Sequence, residues 1–218
     1  MTTFVYDTMT GTAGTTLESH TGEIGATWSK HTLTATGSIV LTDANRCRSN
    51  TANAAIYTAS GTPAGAEYHV SCPFRMITDI NDVAGVAGRI ASTAVLNGYT
   101  AYAYGGIQYY LSRIDAGVET VLGSVNETYT TGQDYWMVLD LKNATKAILI
   151  DGVSKVSSAD NTYTAAGLAG LLFNLVAGTN TTGSHMDNFL AADEGTAVGR
   201  LVGGCLTNGL LLGNLACG

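Results

Sequence analysis

Short runs of Val, Ile, Tyr and Thr, broken every few residues by Gly, Asn, Asp or Ser, recur along most of this chain. Branched and aromatic side chains suit a pleated backbone and small polar ones suit turns, so the alternation confines the fold to β-structure. No stretch carries a sustained helical period with caps. The clearest unit spans residues 135–156. Residues 135–141 form an apolar run, Lys142-Asn143-Ala144-Thr145 reads as a polar turn, and residues 146–150 form a second strand. Asp151-Gly152 then supplies a two-residue hairpin turn, Gly giving positive φ at little cost, and residues 153–156 return antiparallel.

Further strands are expected at residues 67–77, 83–91, 99–104, 107–114 and 119–125, with Gly-containing turns between them. Pro73 cannot donate to a ladder, which predicts an edge, a bulge or a break at that point of its strand. Residues 168–176 fit either a buried strand or a short buried helix, and residues 184–191 read as a closing strand. The series predicts an all-β, antiparallel two-sheet sandwich or barrel.

Composition narrows the class further. With 45% hydrophobic and 12% charged residues in 218, the chain is too apolar for a disordered segment and long enough to bury a core. Seventeen acids against ten Lys and Arg give a net charge of −7, and the bases are scattered, so no nucleic-acid partner is expected. Cys47, Cys72, Cys205 and Cys217 contain no Cys-x-x-Cys pair; if all four paired, three connectivities would be open. The opening Met-Thr-Thr-Phe-Val-Tyr-Asp has neither a basic nor an apolar leader region, so no cleavable secretion signal is expected.

Composition changes after residue 193. Residues 195–218 carry one charge, Arg200, and alternate Gly with Leu, Val and Ala. Gly195, Gly199 and Gly203 fall four apart, as in packed membrane helices, but the run after Arg200 is short and interrupted by Thr207, Asn208 and Asn214, so a membrane span is not the expectation. The domain reading is therefore a sandwich over 1–193 and an apolar arm over 194–218 for docking or assembly. Leu201, Val202, Leu206, Leu210, Leu211, Leu212 and Leu215 are its candidate assembly residues.

Several short motifs resemble one family. Phe4-Val5-Tyr6-Asp7, Gly14-Thr15-Thr16-Leu17 and Trp28 are similar to the opening of concanavalin A-like, laminin-G-like jelly-roll domains. Ile150-Asp151-Gly152-Val153 and Met186-Asp187-Asn188-Phe189 resemble that family's Asp-Gly hairpin and closing strand. The resemblance covers about residues 4–193 and implies a jelly roll with its ends close together. Such domains occur in lectins, glycosidases and phage and bacterial surface proteins, and fold alone does not choose among them. It also implies a structural calcium ion, no other cofactor being expected, with Asp7 and Asp187 as oxygen donors.

Jelly-roll retaining glycosidases carry Glu-x-Asp-x-Glu on one strand, because alternate residues share a face and the chemistry needs two carboxylates about 5 Å apart. None of Glu18, Glu23, Glu67, Glu119, Glu127 or Glu194 has Asp two residues later, so the expectation is a non-enzyme. Serine-hydrolase, phosphate-loop and dinucleotide motifs are missing too, and His20, His31, His69 and His185 form no zinc-type pair. Tyr102 and Tyr104 share one strand face, and Tyr109 and Tyr110 follow on the next strand; these four are the candidate sugar-stacking residues.

The leading expectation is a structural protein of a phage particle, a capsid decoration or tail component, partnered with its own copies or with other virion proteins. The alternative is a carbohydrate-binding, lectin-like module, and after it a glycosidase with an unfamiliar site. The expected location is the virion, or otherwise a cell surface.

Overall fold

The structure is a computed structural model that describes residues 2–34, 36–78, 81–105 and 108–193, together with the backbone of Leu201–Val202 and Cys205–Leu206. Sixteen strands occupy residues 3–193: β1 (Thr3–Asp7), β2 (Trp28–Lys30), β3 (Ile39–Leu41), β4 (Cys47–Ser49), β5 (Ala55–Ala59), β6 (Tyr68–Met76), β7 (Val83–Ile90) and β8 (Gly98–Tyr104) in the first half. β9 (Gln108–Asp115), β10 (Val118–Asn126), β11 (Asp134–Leu141), β12 (Lys146–Ile150), β13 (Val153–Ser158), β14 (Leu168–Asn174), β15 (Ser184–Met186) and β16 (Phe189–Asp193) follow.

Two antiparallel sheets form a sandwich. One runs β13-β12-β11-β6-β15-β4-β3, with β16 joining β6 to β1; the other runs β10-β9-β8-β7-β14-β5-β2. The expected meander is present as β11-β12-β13, with Asp151 and Gly152 both at positive φ in its hairpin. Residues 168–174 resolve as a strand between β7 and β5. The inner faces meet in a core in which Phe74 packs edge-on against Tyr109 and Tyr129, Trp28 against Phe189, and Phe4 against Tyr68.

Pro73 lies inside β6, a central strand, and its effect is felt in the neighbour. β15 pairs with β6 through Met186↔Phe74, and β16 pairs through Leu190↔Ser71. Between them the chain leaves the ladder at Asp187 and Asn188, with Asn188 at φ +46°. The Pro73 carbonyl accepts the Asp187 N–H, and N and O of one residue in an antiparallel strand point the same way, so the missing Pro73 N–H faces this break. The expected single closing strand is therefore two.

β16 ends at Asp193. The Leu210, Leu211, Leu212 and Leu215 expectations lie outside the described residues. The backbones of Leu201–Val202 (β17) and Cys205–Leu206 (β18) pair antiparallel, and their side chains too lie outside what is described. Among the described residues no helix is long and apolar enough to cross a membrane.

Candidate ligand-binding cleft

The outer face of the seven-stranded sheet carries a second apolar layer, and this layer makes a cleft. Strand register places Ile56 (β5), Leu172 (β14), Gly85 (β7), Tyr102 (β8) and Tyr110 (β9) in one transverse row. The next row is Thr58, Gly170, Ala87, Thr100 and Ser112. Gly85 is required here, since a Cβ would meet the Ala101 carbonyl oxygen at 2.2 Å and the Tyr102 Cβ at 2.5 Å.

Residues 91–97 cross this face as a loop. The Gly117 N–H donates to Leu96 O at 3.0 Å, the Ala116 N–H to Asn97 Oδ1 at 2.6 Å, and the Thr32 N–H to Thr93 O at 2.9 Å. Leu96 is thereby held in the buried cluster that includes Ile56, Ala87, Ile114 and Leu172, and it lines the cleft. What remains open is a cleft of about 750 Å3, floored by Ile56, Val83, Thr100, Leu172 and the three tyrosines 102, 104 and 110. Leu33, Val118, Val121 and Leu175 stand around it.

The tyrosines are held before any ligand arrives. Tyr102 and Tyr110 stack at 5.2 Å with 14° between planes, and Tyr104 meets Tyr110 edge-on at 6.3 Å. The Tyr102 hydroxyl donates to Glu119 Oε1 at 2.6 Å, the Tyr110 hydroxyl to Gln108 Oε1, and the Gln108 amide to Asn126 Oδ1. Burial and then the Glu119 carboxylate push the Tyr102 phenol well above its ordinary value, so it stays a donor. Glu119 is the only charged residue among the described lining residues. Thr100, 1% exposed, lines the same cleft with a hydroxyl that has no hydrogen-bond partner.

Tyr109 is a correction to the expected platform. Adjacent residues on a strand point to opposite faces, so Tyr109 enters the core, 1% exposed and stacked on Tyr129, when Tyr110 faces out. Glu119, Thr100 and the Leu33 and Leu96 loops were not picked out from sequence. Glu119 reaches Tyr102 diagonally, and Ile114, not Tyr102 or Tyr110, is its partner across the ladder.

Asp7 and Asp187 do not assemble a cation site. Asp7 is fully buried, and its carboxylate accepts from the Met9 N–H at 2.7 Å, His20 Nε2 at 2.9 Å and Trp28 Nε1 at 2.6 Å. An anion already surrounded by donors, one of them an indole, does not fit as a calcium ligand. Gly22 is packed against it; a Cβ there would lie 2.5 Å from Asp7 Cγ. Asp187 accepts the Asn188 N–H at 2.7 Å, and burial pushes its carboxyl up to about 6. Among the described residues no three His, Cys, Asp or Glu side chains gather closely enough to hold a metal.

No protein-family model matches the chain, and no curated protein matches it in sequence. Solved structures do match in shape. The carbohydrate-binding module CBM66 of Bacillus subtilis aligns with a TM-score of 0.61 at 14% identity, covering 76% of this chain and 95% of that one. The fold is a concanavalin A-like jelly roll. A β-glucanase of Bacillus licheniformis aligns with a TM-score of 0.57 at 10% identity, covering 87% of this chain and 97% of its own. The carbohydrate recognition domain of Emp46p, in its potassium-bound form, aligns with a TM-score of 0.54 at 8% identity, covering 76% and 88%. Enzymes and binding modules thus share this jelly roll, and at these identities the likeness concerns fold alone. None of these names is that of a virion component, so the phage expectation gains no support from them.

Proposed function

We propose that this protein is a carbohydrate-binding module that takes an uncharged sugar in the cleft on its seven-stranded sheet. The observation that carries the reading is the Tyr102–Tyr110 stack, fixed by Glu119 and Gln108 in the floor of a mainly apolar cleft. Tyrosine gives a sugar an apolar ring to stack on and a polar tip to bond, and a pre-positioned ring loses little entropy on binding. The described lining residues include no Arg or Lys, and Glu119 together with a net charge of −7 opposes anionic sugars.

Binding without hydrolysis is the favoured form of this reading. Glycoside hydrolysis calls for two carboxyl groups across the scissile bond, and among the described lining residues Glu119 is the one carboxylate.

Glycan-array screening followed by calorimetry tests the proposal. Tyr102→Ala and Tyr110→Ala should each weaken binding of the best neutral sugar at least tenfold while the far-ultraviolet spectrum and unfolding remain cooperative. No neutral glycan bound at millimolar concentration would overturn it, as would full affinity in both variants.

A further inference from the structure

The cleft has two chemically different halves. Over β8, β9 and β10 it presents Tyr102, Tyr104, Tyr110 and Glu119; over β5, β14 and β7 it presents Ile56, Leu172 and Val83. The side-chain oxygens of the second half have protein partners. Thr34 Oγ1 donates to His31 O and accepts the Ile56 N–H, both at 3.1 Å, and Asn174 Oδ1 accepts the Leu175 N–H at 2.8 Å. A second hydroxylated ring placed there would give up its water for few partners.

Exposed apolar side chains rim both halves of the cleft, Val118 and Val121 from β10 on the tyrosine side and Leu175 just past β14 on the aliphatic side. Among the described residues seven large hydrophobics are exposed, and four of them line this cleft: Leu33 (59%), Val118 (69%), Val121 (50%) and Leu175 (46%). Single exposed leucines and valines are ordinary, but a cluster around a concave site marks contact with something apolar. The volume points the same way, because about 750 Å3 lies within the range of roughly 300–1,000 Å3 that encloses drug-sized ligands and exceeds what one sugar ring fills.

We infer that the ligand is an amphiphilic glycoside, with a neutral sugar on the tyrosine half and a hydrocarbon aglycone on the Ile56–Leu172–Val83 half. The inference rests on the sugar-binding reading for the first half and adds the second. A free fatty acid is disfavoured, since no cation among the described lining residues meets its carboxylate. An extended peptide is disfavoured as well, because its amides would face aliphatic side chains instead of a strand edge.

Calorimetric titration with methyl, butyl and hexyl β-glycosides of glucose, galactose, mannose, xylose, rhamnose and N-acetylglucosamine, all below their micelle concentrations, separates the two ideas. With the sugar that binds, affinity should climb at least tenfold from methyl to hexyl, each fully buried methylene being worth up to about fourfold. Leu172→Ala should lower that hexyl-to-methyl ratio severalfold. Leu33→Ser, at an exposed position where folding is not at stake, should lower it too. Methyl glycosides that bind with no gain on lengthening the chain would overturn the aglycone inference and leave the sugar reading standing. An equal gain in wild type and both variants would also overturn it. Hexanol binding as tightly as the hexyl glycosides, or no glycoside binding at all, would bring down both.

Discussion

Removing the Asp7 carboxylate would leave three donors, the Met9 N–H, the His20 ring and the Trp28 indole N–H, facing a buried space without an acceptor. Losing one partner of a buried charged network costs about 3–5 kcal/mol, so Asp7→Ala should lower the unfolding free energy by that order in urea titrations. Gly22→Ala should act in the same direction by displacing the carboxylate. Asp7 and Trp28 were visible in sequence as parts of a family-like opening, and their meaning is structural: one bonds the other. Thr58 and Thr100 show the opposite balance. Both hydroxyls are buried in one transverse row without partners, so Thr58→Val and Thr100→Val should each leave stability unchanged or raise it by up to about 1 kcal/mol. Both oxygens are closed to solvent, so neither variant should change sugar affinity in calorimetry, although Thr100 lies under the cleft.

At the scale of elements, what was legible followed from period and turn chemistry. The strands around Asp151-Gly152 carry both signals, and they form the expected meander. The three-residue strands β2, β3 and β4 carry neither, since three residues define no period and pairing alone makes them strands. The cleft was half legible for a related reason. Alternation puts Tyr102, Tyr104 and Tyr110 on one face, but Leu33, Leu96 and Leu172 come from distant parts of the chain and meet only through register and the loop over 91–97. Pro73 was legible as a disturbance whose form depended on its neighbour. Because its absent N–H faces the gap between β15 and β16, Pro73→Ala should cost no more than about 1 kcal/mol, the loss of backbone restriction in the unfolded chain. A cost of several kcal/mol in chemical denaturation would mean that the ring itself supports the break.

For the whole molecule, the buried titratable groups set how stability answers to pH. Burial holds His69 down to about 4, and it lowers His31 and His185 from their ordinary values as well. The unfolded chain takes up these protons near pH 6.5 while the fold does not, so stability falls as pH drops from about 6.5 towards 4. Asp134 adds to the fall at lower pH: burial raises its carboxyl, but hydrogen bonds from Arg75 and Arg46 outweigh this and hold it low, so its contribution is lost as pH falls through that lowered value. Asp187 works the other way. Its folded value of about 6 lies above the unfolded one, so its penalty is missing below pH 4, grows through the window up to 6 and is complete above it. Burial raises the Asp82 carboxyl as well, so two carboxyls oppose three histidines above pH 4, and the net expectation is a fold destabilised by mild acid. Two variants resolve the sum. His69→Gln should reduce the stability lost between pH 6.5 and 4 by on the order of 3 kcal/mol, the equivalent of its shift, since His69 is only 4% exposed. Asp187→Asn should stabilise the protein at pH 7, an advantage that has largely gone at pH 4, where the folded carboxyl is protonated and the unfolded one about half so. Urea titrations of both variants at pH 4, 5.5 and 7 check the signs, and a His69→Gln profile parallel to wild type would mean that His69 is protonated within the fold.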